Sequence, residues 1–179
     1  MKKIIIACTA LLMGYGAMAQ KAITRTGEVK FEASMPSLEE IAATNSTVSA
    51  VLDKNTGEIA FLVLVKGFKF KVPLMEEHFN ENYMESDKYP KASFKGKIIG
   101  YDKNATTEKT YDVEGDLTIH NVTKKVKQKI TIKPAGKDTN GTFSFSVKPQ
   151  DYNIAIPALV KNKIAENVKI NGKFTLTEK

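Results

Sequence analysis

Cysteine and histidine are scarce in this 179-residue sequence, and tryptophan is absent. The single cysteine, Cys8, lies in an apolar N-terminal stretch that we expect to be removed, so the remaining chain has no thiol. Disulfides, thiol nucleophiles and cysteine-ligated zinc sites are therefore excluded for that chain. The two histidines, His78 and His120, are the only source of imidazole chemistry.

The N-terminal stretch has the three parts of a secretory signal peptide. Lys2 and Lys3 form a positive region, residues 4–13 form an apolar region, and Ala17-Met18-Ala19 forms a small-residue cleavage site. The apolar run is too short to remain as a membrane helix. We therefore predict a signal peptide over residues 1–19, cleavage after Ala19, a periplasmic or secreted location, and one domain over residues 20–179.

Two other interpretations of this stretch stay open. It could form a buried N-terminal helix, or Cys8 could be the lipidated residue of a bacterial lipoprotein, since residues 5–8 faintly resemble a lipobox. Cleavage before Cys8 would leave only four apolar residues ahead of the cysteine and would bypass the better site at Ala19. The signal-peptide interpretation is favoured for that reason.

The positive charge of the chain is dispersed. Removal of the signal peptide lowers the formal net charge from +7 to +5, because this segment carries two lysines and no acid. The remaining lysines alternate with apolar residues rather than forming one block. A solvated sheet surface accounts for such a pattern, so we expect no nucleic-acid partner.

Alternation of apolar and polar residues runs through the whole mature chain. In residues 28–33, for example, Val29, Phe31 and Ala33 alternate with Glu28, Lys30 and Glu32. This period is typical of strands with one buried and one solvated face. It predicts eight or nine strands, located around residues 23–33, 47–53, 58–66, 68–72, 92–98, 111–119, 126–133, 143–147 and 168–176.

Helix and turn signals are few. Ser37, with Glu40 three residues on, forms a capping box that predicts a helix over residues 37–44. Residues 74–84 form a second helical candidate, and Pro157 suits the first turn of a third, over residues 157–166. Asn140-Gly141 is typical of a two-residue hairpin turn.

Many antiparallel strands with almost no helix indicate an all-β fold. An eight-stranded antiparallel up-and-down barrel with two or three short helices would bury one strand face and remove the sheet edges. A sandwich of two sheets fits the same pattern. Periodicity favours the barrel only modestly.

The inward phase of the predicted strands is rich in phenylalanine. These side chains form either a packed core or the wall of a cavity for a hydrophobic ligand. In the second case the helical segment, through Leu74, Met75, Phe79, Tyr83 and Met84, would close one mouth. The candidate ligand-binding residues are Phe31, Phe61, Val63, Phe68, Phe70, Met75, Phe79, Phe94, Tyr111, Leu117, Ile119, Phe143, Phe145 and Phe174.

The acidic stretch LMEEHFNENYMESDKYP at residues 74–90 raises the question of a metal or acid–base site. A catalytic zinc needs three protein ligands, and nothing in the sequence brings His120 near His78. No nucleophile-elbow, phosphate-loop or HExxH motif is present. We expect no catalytic residue, no metal and no cofactor. His120 remains a candidate for a polar contact to a ligand or a turn histidine bonded to the backbone.

Three stretches together resemble the YceI-like family: GEVKFEAS at 27–34, LMEEHFNENYMESDKYPKASFKGK at 74–97, and GDLTIHNVTKKV at 115–126. The resemblance covers essentially the whole mature chain. It implies a lipocalin-like barrel of eight antiparallel strands, exported to the periplasm, that binds a long isoprenoid chain in its interior. It implies neither catalysis nor a metal.

The chain departs from the family pattern at two places. Family members usually carry an Arg-Asp pair where this chain has residues 74–77, LMEE, and a glycine where it has Asn121. The contact that an arginine would make to a ligand head group therefore cannot be carried over.

We accordingly predict an exported carrier or sequestering protein for an amphiphilic isoprenoid lipid, with transient membrane contact during exchange. An enzyme, perhaps hydrolytic, that uses His120 or His78 is one alternative. A packed barrel that binds partners through its lysine-rich outside is another. The sequence leaves open which lipid is bound, the direction of transfer, and whether the protein is a monomer or a dimer.

Overall fold

Nine antiparallel strands make up most of the computed structural model, which describes residues 20–36 and 39–179. The predicted signal peptide, residues 1–19, lies outside the described residues, as does Ser37. The strands are β1 (Lys21–Ser34), β2 (Ala42–Asp53), β3 (Glu58–Leu64), β4 (Lys69–Phe70), β5 (Lys91–Ile98), β6 (Lys109–Ile119), β7 (Val122–Ala135), β8 (Asp138–Val147) and β9 (Ile164–Glu178).

The sheet closes on itself through β1. Its strand order is β1-β9-β8-β7-β6-β5-β3-β2, and β1 also pairs with β2. The two-residue β4 pairs with the start of β2 and takes no part in the ring. The predicted eight-stranded up-and-down barrel is therefore confirmed, and the sandwich is not formed.

The two ends of the barrel differ in how they are filled. At one end lie the β2–β3, β5–β6 and β7–β8 connections, and a cluster of buried side chains such as Leu52, Ile98 and Leu176 fills the interior there. The opposite end carries the longer connections, including residues 65–90 between β3 and β5 and residues 148–163 between β8 and β9. We call these the packed end and the open end.

Residues 65–90, the cover segment, contain the helical structure that the sequence predicted at 74–84. An α-helix, α1 (Pro73–His78), continues into a π-helical turn (Phe79–Tyr83). Pro73 suits the first turn because its missing N–H would have no intrahelical partner there. In the part of the chain that the structure describes, no helix is long and apolar enough to cross a membrane.

The other two helix predictions are wrong. Residues 42–44 belong to β2, where Ala43 and Thr44 pair with Phe31 and Lys30 of β1, so strand pairing overrides the local capping signal. Residues 158–160 form a single 3-10 turn, and β9 has begun by Ile164. The pairing of Ile164 with Ser34 extends the sheet into the last three residues of the predicted helix.

The predicted turn at Asn140-Gly141 is also wrong. Both residues lie inside β8, and the β7–β8 turn contains Gly136, whose φ is +67°. Gly141 serves a different purpose, because a Cβ at this position would lie 2.1 Å from the Phe174 ring. The missing side chain lets that ring lie across β8 inside the barrel.

One imidazole links three connections at the open end. His120 and Asn121 have φ values of +50° and +61° and form the two-residue β6–β7 turn. His120 Nε2 lies 3.0 Å from Oε2 of Glu85 in the cover segment, and Nδ1 lies 3.2 Å from the Tyr152 carbonyl oxygen in the β8–β9 connection. Both partners are oxygen acceptors, so each of these hydrogen bonds needs a ring N–H as its donor. The Tyr89 ring packs edge-on against the His120 imidazole, with 4.4 Å between the ring centroids.

We expect substitution of His120 by asparagine to loosen this end of the barrel. Asparagine tolerates the positive φ of the turn but cannot reach both partners, so the free energy of unfolding should fall by about 1–3 kcal/mol. Amide hydrogen exchange should speed up in residues 79–89 more than in the barrel strands. The matched control is His78→Asn on α1. Equal exchange rates in the two variants would show that His120 does not hold the cover segment.

Candidate functional site

The open end of the barrel encloses a cavity of about 610 Å³. This volume lies within the range typical of small-molecule sites. Its walls come from the inward faces of the strands and from α1, and almost all of the lining side chains are apolar. A barrel interior filled by side chains, one of the sequence-based alternatives, is therefore not what the structure contains.

Four phenylalanines, one on β1 and three in the cover segment, form one wall of the cavity. The Phe31 ring lies 5.3 Å from Phe68, 5.6 Å from Phe70 and 5.2 Å from Phe79, measured between ring centroids. The Phe31–Phe79 pair is stacked, and the other two are edge-on. These offset and edge-on arrangements are the favourable ones for aromatic rings. The cluster joins β1 to the cover segment.

The floor of the cavity rests on the packed end. Phe61 lies 5.5 Å from Phe143 and 5.1 Å from Phe174, and both contacts are edge-on. Phe61 and Phe143 line the cavity, whereas Phe174 lies below them with 6% of its surface exposed. This aromatic layer separates the cavity from the solid core.

Glu76 fixes α1 to β4 within the cover segment. Its carboxylate accepts hydrogen bonds from the Lys69 ammonium at 2.6 Å and from the Phe70 amide at 3.2 Å. The bond from Lys69, helped by that from Phe70, lowers the pKa of the Glu76 carboxyl below its usual value, although burial acts in the opposite direction. Glu76, one of the acids that raised the question of a metal or acid–base site, thus has a structural role.

Most of the predicted ligand-binding residues line the cavity. Tyr111 and Phe174 do not, because they belong to the packed end, where both are buried. His120 does not line it either, whereas His78 does. The predicted residues found in the lining are Phe31, Phe61, Val63, Phe68, Phe70, Met75, Phe79, Phe94, Leu117, Ile119, Phe143 and Phe145.

Sequence reasoning missed one wall entirely. The β7–β8 ladder runs only from Ala135–Asp138 to Ile130–Phe143, and beyond this point the two strands part. Residues 148–156 fill the space, with Tyr152 and Ile154 buried against a cluster that includes Val126 and Phe145. Both also line the cavity. In the run Ile154-Ala155-Ile156 large and small apolar residues alternate as they do in a strand. This alternation was the sequence signal that could have indicated the wall.

Polar groups are sparse in this cavity. Burial raises the pKa of the Tyr152 phenol, and Asp151 adds to the effect, so this side chain stays neutral at neutral pH. Of the acidic, basic and histidine residues in the lining, Glu39, His78 and Lys163 lie in the connections at the open end, and Lys129 lies on β7, where its ammonium bonds Asp112. Within the described ranges, no group of three or more His, Cys, Asp or Glu side chains is arranged to hold a metal ion. The arrangement suits binding of an apolar molecule by burial.

Known proteins share both the sequence pattern and the fold. A UPF0312 protein of Pseudomonas syringae pv. tomato is 39% identical over 101 residues, which is 52% of this chain and 50% of that protein. One of Pseudomonas putida strain W619 is 31% identical over 97 residues, 51% of this chain and 48% of that protein. The matched stretch thus spans about half the length of these curated relatives.

Solved structures give the same picture at lower identity. A polyisoprenoid-binding domain from Saccharophagus degradans superposes with a TM-score of 0.77 at 13% identity, covering 90% of this chain and 99% of that one. Burkholderia cenocepacia BcnA superposes with a TM-score of 0.71 at 18% sequence identity, and the match covers 84% of this chain and 96% of that one. The YceI protein of Campylobacter jejuni superposes with a TM-score of 0.65 at 16% sequence identity, and the match covers 81% of this chain and 89% of that one.

A sequence model of the YceI-like domain matches residues 20–176, which is nearly all of the described chain. The family that the three motif stretches suggested is confirmed by this match. The chain belongs to the YceI-like domain family.

Proposed function

We propose that this protein is an exported, non-catalytic binding protein that holds the hydrophobic chain of an amphiphilic lipid of the isoprenoid type. The observation that carries the proposal is the apolar cavity of about 610 Å³ at the open end of the barrel. The polyisoprenoid binding of the S. degradans neighbour supports the choice of ligand class. Binding would draw on apolar burial, at roughly 0.8 kcal/mol per methylene group.

The two histidines give little support to an enzymatic alternative. His120 is committed to Glu85 and the Tyr152 carbonyl, with only 9% of its surface exposed. His78 lies on α1 at the open end, and it takes part in no ion pair with a described residue. A general base needs a reacting proton within reach and groups that orient it. We therefore keep binding as the proposed activity.

Filling the cavity tests this function directly. Val63 lines the cavity from β3, and a tryptophan there would occupy ligand volume. We expect Val63→Trp to weaken binding of retinol, a fluorescent isoprenoid alcohol, at least about tenfold, because overpacking costs about 1–3 kcal/mol. Thermal stability should hold, since the cavity has room for the ring.

The matched control is Leu62→Trp, on the outward face of the same strand, where 39% of the leucine is exposed. It should bind retinol as the unmodified protein does. Equal binding by the two variants would mean that retinol binds outside the cavity. No retinol binding by the unmodified protein would contradict the proposed function.

Export is the second element of the proposal. The predicted cleavage after Ala19 would begin the mature chain at Gln20, the first residue of the described barrel domain. Expression of the full sequence in a Gram-negative bacterium should give a periplasmic product whose N-terminal sequence starts at Gln20. A product that retains residues 1–19, or one lipidated at Cys8, would contradict this part of the proposal.

Transient membrane contact is the third element. Leu74 and Leu159 lie in the two long connections at the open end and are 56% and 89% exposed. Leu74 also lines the cavity, as does Val160 beside Leu159. Exposed leucines beside an opening are suited to touch a bilayer while a ligand moves in or out.

We expect Leu159→Asp to slow transfer of retinol from lipid vesicles severalfold while leaving its equilibrium affinity unchanged. The matched control is Ile99→Asp, at the packed end, where the isoleucine is 48% exposed. Transfer rates come from the change in retinol fluorescence after mixing. If the two variants transfer at the same rate, the open end makes no special contact with the bilayer.

A further inference from the structure

One polar side chain lies on the inward face of the barrel at the level of the cavity floor. Gln128 of β7 is the strand partner of Val113 on β6, and Val113 is buried in the packed end. Directly paired residues in an antiparallel ladder point to the same face. The Gln128 amide therefore points inward, between Val126 and Ile130, and it lines the cavity.

No described residue makes a side-chain hydrogen bond with this amide. Side-chain hydrogen bonds of β7 within the described residues come from Thr123, Lys129 and Thr131, and none involves Gln128. Gln128 is half-buried and borders the open space of the cavity. Its amide carries two donors and an acceptor, and a bound molecule made only of hydrocarbon would leave them unmatched, which is costly. If the ligand offered only hydrocarbon to this wall, an apolar residue of similar size to glutamine would suit the position better.

The β7 backbone beside Gln128 adds further polar groups to this part of the cavity. Residues 122–129 of β7 pair with β6 alone, because the ladder to β8 stops at Ile130. On the edge that faces β8, main-chain N–H and C=O groups of this part of β7 have no ladder partner among the described residues. The parting of the two strands and the Gln128 amide thus create one polar spot in an apolar cavity.

The spot is electrically neutral. Lys129, the next residue, contributes to the cavity lining, but it pairs with Asp112 on the outward phase of the strands, and its ammonium donates a hydrogen bond to the Asp112 carboxylate at 3.1 Å. Lys163 lines the cavity from the β8–β9 connection at the open end. A ligand anion at Gln128 would be desolvated without a cation beside it, which is strongly unfavourable.

We propose that Gln128 is a specificity-determining residue that receives a neutral hydrogen-bonding oxygen, a hydroxyl or carbonyl, of an otherwise apolar ligand. The ligand is then oriented with this oxygen toward the cavity floor and its hydrocarbon toward the open end. This inference rests on the proposed lipid-binding function and adds to it the chemistry and direction of the bound molecule.

Three ligands that share one carbon skeleton test the inference: phytane, phytanol and phytanic acid, each measured by displacement of retinol at neutral pH. We expect the unmodified protein to prefer phytanol over both of the others. Gln128→Leu should weaken phytanol binding about tenfold, the loss expected for one hydrogen bond in an apolar site. Binding of phytane should stay the same or improve, and the melting temperature should not fall.

Gln128→Met serves as a second variant should leucine disturb the strand, and Gln150→Leu, on an exposed turn, controls for added surface hydrophobicity. Equal effects of Gln128→Leu on phytanol and phytane would overturn the inference. So would tighter binding of phytanic acid than of phytanol, which would put the polar end beside Lys163. Failure of all three ligands to displace retinol would overturn it together with the proposed function.

Discussion

Closure of the ring through β1 is the constraint on which the rest of the molecule depends. β1 pairs with β2 along one edge and with β9 along the other, so the first and last strands of the chain complete the barrel. Once the ring is closed, every strand of the ring has one face inside and one outside. The inward phase of each strand then becomes either core or cavity wall.

The division between core and cavity follows the two ends of the barrel. At the packed end side chains from facing strands meet, and the missing side chain of Gly141 gives the Phe174 ring its place. The long connections at the open end fold over a space that the strands leave unfilled. His120 holds these connections together through Glu85 and the Tyr152 carbonyl. An empty apolar volume is unfavourable by itself, so a site of this kind is suited to being filled by a ligand.

The strands and the all-β class could be predicted from the sequence because their signal, alternation with period two, is repeated along the whole chain. The resemblance to known family members supplied the barrel, which periodicity alone did not separate from a sandwich. The wrong predictions at residues 37–44, 157–166 and Asn140-Gly141 all rested on short local signals. Strand pairing overrode these signals at residues 42–44, 140–141 and 164–166.

The alternation of apolar and polar residues does not show how far along the barrel an inward-facing side chain lies. Tyr111 and Phe174 share the inward phase with Phe143, yet they lie in the packed end, because phase gives the side of a strand and not the height along the barrel. Gln128 escaped notice for a related reason. It reads as one polar residue in a lysine-rich strand until the register with Val113 places it inside. The parting of β7 from β8 depends on residues 148–156 and could not be seen in either strand.

The central claim is that the open end of the barrel holds a hydrophobic ligand. Native mass spectrometry of the protein purified without detergent from the periplasm of its own host tests this claim most directly. The account predicts a bound lipid at near-stoichiometric level that solvent extraction identifies as an isoprenoid with a neutral oxygen. Protein that carries no lipid, together with a crystal structure in which side chains fill the cavity, would contradict it.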